Sequence, residues 1–243
     1  MKTAIIARLS LAFFAVLGLG SCGIKKATTA PEPTRFLQAT GTDVSHRVER
    51  LPFQHSWRDP KVNLANYKNI VLRPVTTAFL RRESWQESKS SFIPNKRTYA
   101  RRCGKLARYW DRSLAKSFAS PICLFYKTRD TSAAGTLVLE VALTEVRFGR
   151  ATGSPAVPAG SLTSVVTGLP ICAFEARVRD ASTGRLIATA ADRRGPKITV
   201  IDSGKNTFTK SNETICDEWA DQLMKSPNIE LFPKVRRSWF SLF

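Results

Sequence analysis

Residues 97–118 read RTYARRCGKLARYWDRSLAKSF, and residues 136–148 read TLVLEVALTEVRF. In the first stretch Tyr99, Cys103, Leu106, Trp110, Leu114 and Phe118 recur every three or four residues, with Arg101, Lys105, Arg108, Arg112 and Lys116 on the opposite stripe. That period belongs to an amphipathic helix. In the second stretch Leu137, Leu139, Val141 and Leu143 share one parity, whereas Val146 and Phe148 take the other. Alternation marks a strand, and a phase slip at Thr144-Glu145 is what a β-bulge produces. A strong helix followed by a long strand already points to a layered mixed fold rather than a bundle or an all-β barrel.

Working outward, Asn69 to Val75 is a short strand signal stopped by Pro74, preceded by Trp57, the turn-like Asp59-Pro60 and Tyr67. A strand is expected at about Ile122 to Lys127. Cys172, Phe174, Ala176 and Val178 alternate with Glu175, Arg177 and Arg179; Asp180 to Gly184 reads as a turn, and Leu186 to Ala191 as the return strand of a hairpin. Residues 149–170, rich in Gly, Ala, Ser and Pro, read as a long loop, and Ile198 to Ile201 as one more strand. A last helix spans about Glu213 to Met224, with Ile215, Trp219 and Leu223 on its apolar stripe and Pro227 just beyond its end. The order predicts an α/β (α+β) fold, a single two-layer sandwich in which a mixed β-sheet carries helices packed on one face.

The 243 residues hold 38 Lys+Arg against 19 Asp+Glu, a formal net charge of +19, and are 43% hydrophobic, which excludes wholesale disorder. Lys2 and Arg8 precede an uncharged run from Leu9 to Leu19, too short for a comfortable span of about 20 residues and suited to a signal peptide. It ends in Leu19-Gly20-Ser21-Cys22, the pattern of a bacterial lipobox, in which the cysteine is acylated and becomes the new N-terminus. An ordinary signal peptide with a chance cysteine is the competing reading. The expected division is residues 1–21 as lipoprotein signal, 22–50 as a lipid-anchored flexible tether, and 51–243 as one domain with a basic, aromatic C-terminal tail. Phe36 and Leu37 stand out in the tether, either docked on the domain or isolated. Gly23, where an Asp would favour inner-membrane retention, favours the outer membrane, facing the periplasm. Removing Lys2 and Arg8 with the signal lowers +19 to +17, so the charge belongs to the exported part and makes nucleic acid an unlikely partner.

Cys103, Cys123, Cys172 and Cys216 permit two disulfides in three pairings in an oxidising compartment, yet each occupies an apolar position where a free thiol packs equally well. With no CxxC and no histidine nearby, no metal and no cofactor are expected. Catalysis finds little support. His46 and His55 both precede the first strand, and Glu140, Glu145 and Glu175, on strands bearing Arg147, Arg177 and Arg179, read as cross-strand ion pairs on a solvated face rather than as an acid/base pair.

The basic stripe remains. Arg101, Lys105, Arg108 and Arg112 recur at successive turns of one helix, where like charges repel and an anion would relieve the repulsion; a merely solvated face is the alternative. The tail, with Lys234, Arg236 and Arg237 beside Trp239, Phe240, Leu242 and Phe243, suits a membrane interface or folds back onto the domain. The expected role is that of a non-catalytic interaction or assembly factor, held to the membrane through Cys22 and binding an anionic envelope polymer or acidic protein partner. A small-ligand-binding or enzymatic domain using the 149–170 loop is the alternative, and an electrostatic binder of exogenous DNA, with steep salt dependence, is a third.

Several segments resemble an uncharacterised family of bacterial lipoproteins: Phe36-Leu37, Trp57, Tyr67-Lys68-Asn69-Ile70, Arg73-Pro74-Val75, the run from Thr136 to Val146, and above all Glu175 to Gly184 continuing to Ala191-Asp192-Arg193, with Asp217-Glu218-Trp219-Ala220. The resemblance covers most of residues 36–225 and implies localisation and fold more than activity. The element order is similar to that of the curli secretion lipoprotein, the lipoprotein activators of peptidoglycan synthases and the N-terminal domain of TolB, a likeness that implies binding and assembly rather than catalysis.

Overall fold

Thr136–Arg147 is buried at nearly every position, on both parities, so a layer must cover each face of this strand. The computed structural model describes residues 32–38, 51–88, 93, 95–128, 131, 134–148, 150–152, 165–167, 170–195 and 207–231. Their elements are α1 (Arg35–Gln38), β1 (His55–Arg58), a 3-10 turn (Leu64–Asn66), β2 (Asn69–Leu72), α2 (Arg82–Ser88), α3 (Lys96–Ser117), β3 (Tyr126–Lys127), β4 (Thr136–Arg147), β5 (Arg150–Thr152), β6 (Val165–Thr167), β7 (Ile171–Asp180), β8 (Leu186–Arg194) and α4 (Thr207–Leu231). The expected signal, Cys22, most of the expected tether, the expected strand at Ile198 to Ile201 and the C-terminal tail lie outside the described residues.

Six of these strands form one sheet in the order β1-β8-β7-β4-β2-β3. β2 runs parallel to β3 and β4, and the remaining neighbours are antiparallel, so the mixed α+β architecture is as the sequence predicts. The expected phase slip is present: the β4–β7 register shifts between Leu143 and Glu145. One inserted residue turns Val146 and Phe148 back to the face that Leu143 and Val141 occupy, and all four join the main core. The hairpin also forms. Gly184 closes its turn at φ +68, its N–H reaching the Asp180 carbonyl at 2.9 Å, a backbone state that a side chain would oppose. At Gly135 (φ +66) a Cβ would stand 2.7 Å from the Asn66 carbonyl oxygen.

Two expectations are corrected. The strand at Ile122 to Lys127 shrinks to Tyr126–Lys127, because turn hydrogen bonds such as Cys123 N–H to the Ser120 carbonyl carry the chain that far. α4 continues through Pro227 to Leu231. The proline removes one backbone donor, and Ser226 Oγ bonds the Gln222 carbonyl at 2.7 Å in that turn. The two long helices share one face of the sheet, as expected. α3 and α4 pack on the face of Leu139, Val141, Leu143 and Phe174, while α1 lies on the other, where Phe36 and Leu37 pack with Phe79, Ala142 and Ala191 in a separate cluster. Phe36 and Leu37 are thus docked.

The outer face beneath α1 is also where the strand carboxylates sit. Arg177 pairs with Glu140 directly across β7 and β4 at 2.5 Å. Glu145 is held by Arg147 at 2.5 Å and by two Arg193 nitrogens at 2.7 and 3.0 Å. The ion pairs at Glu140 and Glu145 are as expected, whereas Glu175 is bonded by Thr34 instead, and the face is not solvated: Glu145 and Glu175 are each 3% exposed. Burial alone would raise the Glu145 carboxyl; the Arg193 and Arg147 guanidiniums outweigh it and hold the carboxyl below its ordinary range.

Candidate functional site

The Asn95 side chain starts α3 by accepting the Thr98 N–H at 2.8 Å. From there the helix buries Tyr99, Cys103, Leu106, Ala107, Trp110 and Leu114 against the sheet. Tyr99 reaches across to donate its hydroxyl to the Val146 carbonyl at 2.9 Å. Trp110 packs 5.4 Å from Phe174 and 5.5 Å from Trp219 of α4. Rotation about the helix axis is fixed from the side as well. Tyr109 and Ser113 both donate to the Asp217 carboxylate of α4, at 2.7 and 2.5 Å. Acceptance by Asp217 is the main reason the Tyr109 phenol is pushed up to about 12, with burial adding to it.

With one face buried and the flank pinned, the opposite face points to solvent. Arg101, Lys105, Arg108 and Arg112, the four residues expected to form a basic stripe, are all exposed, and Arg97 and Lys116 continue it one turn at either end. The stripe runs about 28 Å at 1.5 Å per residue. Among the described residues none of these six forms an ion pair; Arg112 lies 5.8 Å over the Tyr109 ring. Each successive like-charge pair costs about 0.3 kcal/mol, a repulsion that Asp111 eases at Arg112. Arg97 opens the helical stretch of the sequence and extends the four-residue stripe by one turn.

The other candidates are placed as follows. Cys103, Cys172 and Cys216 are buried and Cys123 half-buried, and all four are free thiols. Burial pushes Cys103 up to about 12 and raises Cys172 and Cys216 well above the ordinary thiol range. His55 belongs to β1, paired with Ala191 of β8, and His46 lies outside the described residues. Of the 149–170 loop, β5, β6 and Pro170 are described, the two strands as an antiparallel pair. Among the described residues, no helix is long and apolar enough to cross a membrane, and no three His, Cys, Asp or Glu side chains gather as a metal site requires.

Several solved structures are similar to this chain. The PelC dodecamer from Paraburkholderia phytofirmans is 11% identical, covering 70% of this chain and 94% of its own, with a TM-score of 0.37. Protein XCC0632 from Xanthomonas campestris, described with family model DUF330, is 10% identical over 73% and 94%, with a TM-score of 0.38. A minor lipoprotein from Acinetobacter baumannii is 11% identical over 68% and 95%, with a TM-score of 0.32. No curated protein matches. A family model described as "Protein of unknown function (DUF3313)" matches residues 46–223, so the uncharacterised family expected from the strand and hairpin motifs is found, and the chain belongs to the DUF3313 family.

Proposed function

We propose that this chain is an envelope lipoprotein, anchored through Cys22 and facing the periplasm from the outer membrane, that acts without turnover as an interaction or assembly factor. It binds an anionic envelope component or an acidic partner through the outer face of α3. The observation that carries this reading is the row of six exposed cations from Arg97 to Lys116, fixed in orientation by Trp110 inside and by Asp217 at the flank, with no ion pair among the described residues. A surface-exposed row of one sign attracts polyanions over about 8–10 Å in physiological salt.

Reversal of Arg101, Lys105 and Arg108 to Glu tests the stripe. All three are exposed, so the fold is expected to survive, with an unchanged circular dichroism spectrum. Salt-sensitive co-sedimentation of the full chain with isolated sacculi or anionic vesicles is expected to disappear; sedimentation equal to that of the unaltered chain refutes the reading. The anchor has its own test: metabolic labelling with radioactive palmitate is expected in the unaltered chain and absent in Cys22→Ala.

A further inference from the structure

β2 and β3 are adjacent parallel strands at the sheet edge, and α3 is the crossover between them. In open sheets, the crevice beyond the carboxyl ends of parallel strands is where ligands bind. Here that crevice is a cleft of about 460 Å³, lined by Leu72 at the end of β2 with Arg73 and Pro74 just beyond it, Lys127 at the end of β3 with Thr128 just beyond it, and Asp111, Leu114 and Ala115 from α3. Small-ligand sites occupy roughly 300–1,000 Å³.

The chemistry of the lining is specific. Arg73 and Lys127 are exposed, approach from different strands, and form no ion pair among the described residues. Asp111 is half-buried, and one of its oxygens accepts the Val75 N–H at 2.6 Å. Two cations against one carboxylate leave a surplus of one positive charge, which complements a singly charged anion rather than a polyanion. Leu72, Pro74, Leu114 and Ala115 add apolar wall on which the carbon arms of an ester can lie. We infer that this cleft is a phosphodiester site, in which Arg73 and Lys127 grip the phosphate and the apolar wall receives its substituents. The site lies beside the basic stripe and shares no residue with it, so it stands or falls separately from the function proposed above.

The test uses the full chain in detergent micelles, titrated calorimetrically with glycerophosphoglycerol and with inorganic phosphate, and floated with phosphatidylglycerol vesicles. The diester is expected to saturate, to bind about tenfold or more weaker in R73A/K127A, and to be unaffected in R101A/K105A. R73K/K127R, which keeps both charges, is expected to retain binding, and D111N to tighten it, an outcome that loss of fold would not give. Vesicle binding with the same variant pattern, without binding of the soluble diester, also supports the site and identifies a lipid as its source. Inorganic phosphate bound as tightly as the diester overturns the assignment, as does equal weakening in the cleft and stripe variants, or the absence of saturable binding to both diester and vesicles. A stripe reversal that leaves sedimentation unchanged refutes the stripe alone.

Discussion

Thr34 donates its backbone N–H at 2.6 Å and its hydroxyl at 2.7 Å to the two carboxylate oxygens of Glu175, a residue 141 positions away. Around this clamp, Arg177 donates to the Phe36 carbonyl at 3.0 Å, and its guanidinium lies 4.3 Å over the Phe36 ring. Arg81 bonds the Glu32 carbonyl. Residues 32–38 are therefore a strap laid over the outer face of the sheet. Burial raises the Glu175 carboxyl above its ordinary range, and the Thr34 donors pull in the opposite direction.

The strap gives the first prediction. Both Glu175 oxygens already accept, so Glu175→Gln sets an amide N–H₂ against a Thr34 donor. The expected cost is about 1–3 kcal/mol, read as a lower urea midpoint with an unchanged slope. Limited proteolysis of the same variant is expected to cut within residues 32–38 faster than in the unaltered chain. Equal cutting would show that the clamp does not hold the strap.

A second prediction concerns the seat of α4. Asp192 Oδ2 accepts from Arg194 Nε at 2.6 Å and from Trp219 Nε1 at 2.9 Å, and both charged groups are almost wholly buried. Asp192→Ala leaves the Arg194 charge in the interior with Glu218 and Gln222 at 3.3 and 2.6 Å as its remaining partners. Removing one member of a buried pair costs about 3–5 kcal/mol. Trp219→Phe keeps a ring in the cluster with Phe174 but loses the N–H, and is expected to cost less. Thermal melts of the two variants check the order.

How much of this was legible follows from which contacts are local. The α3 stripe and the bulge at Thr144-Glu145 depend on neighbours three or four positions away, or on parity within one strand, and both are plain in the sequence. β1 is four residues, His55-Ser56-Trp57-Arg58, without apolar alternation, and is a strand only because it pairs with β8 from Ala188 to Ala191. The Asp192–Trp219 bond and the Arg73–Lys127 cleft join residues from separate segments, so no window along the chain contains them. Pro227 misleads for a similar reason. The local rule ends a helix near proline, whereas Leu223 and Met224 are buried one turn earlier and packing carries α4 onward.

The hairpin turn supplies a pH prediction. Burial tends to raise the Asp180 carboxyl. Donors from Ser182 Oγ, Thr183 N–H and Tyr67 Oη at 2.6, 2.8 and 2.8 Å outweigh it and hold the carboxyl well below the ordinary value of 3.8. The Tyr67 phenol, pushed up to about 12 by burial first and by Asp180 second, remains a donor throughout the acid range. A depressed carboxyl contributes stability that is complete above the unfolded value and is lost as pH falls towards the folded one. Asp180→Asn is expected to lower Tm at neutral pH and to lose less Tm than the unaltered chain between about pH 4 and pH 2. Parallel acid dependence in both proteins would assign the loss to other carboxylates.

The thiols give the last prediction. A thiolate attacks an alkylating reagent and a thiol does not, so reactivity follows exposure and the ease of ionisation. Cys172 and Cys216 are fully buried, Cys103 is buried on the sheet-facing side of α3, and burial disfavours the thiolate in all three. Cys123 is half-buried, its Sγ 3.4 Å from the Phe125 carbonyl; burial raises it and the Phe125 backbone pulls the other way. Iodoacetamide applied to the folded protein is therefore expected to modify Cys123 first and to leave Cys103, Cys172 and Cys216 intact over the same period. In denaturant without reductant all four are expected to react, each adding one carbamidomethyl group by peptide mass. A pair of unmodified cysteines that reacts only after reduction would mean that two core positions are bridged in the protein as isolated from cells. The packing of α3 and α4 against β7 would then have to accommodate that bond.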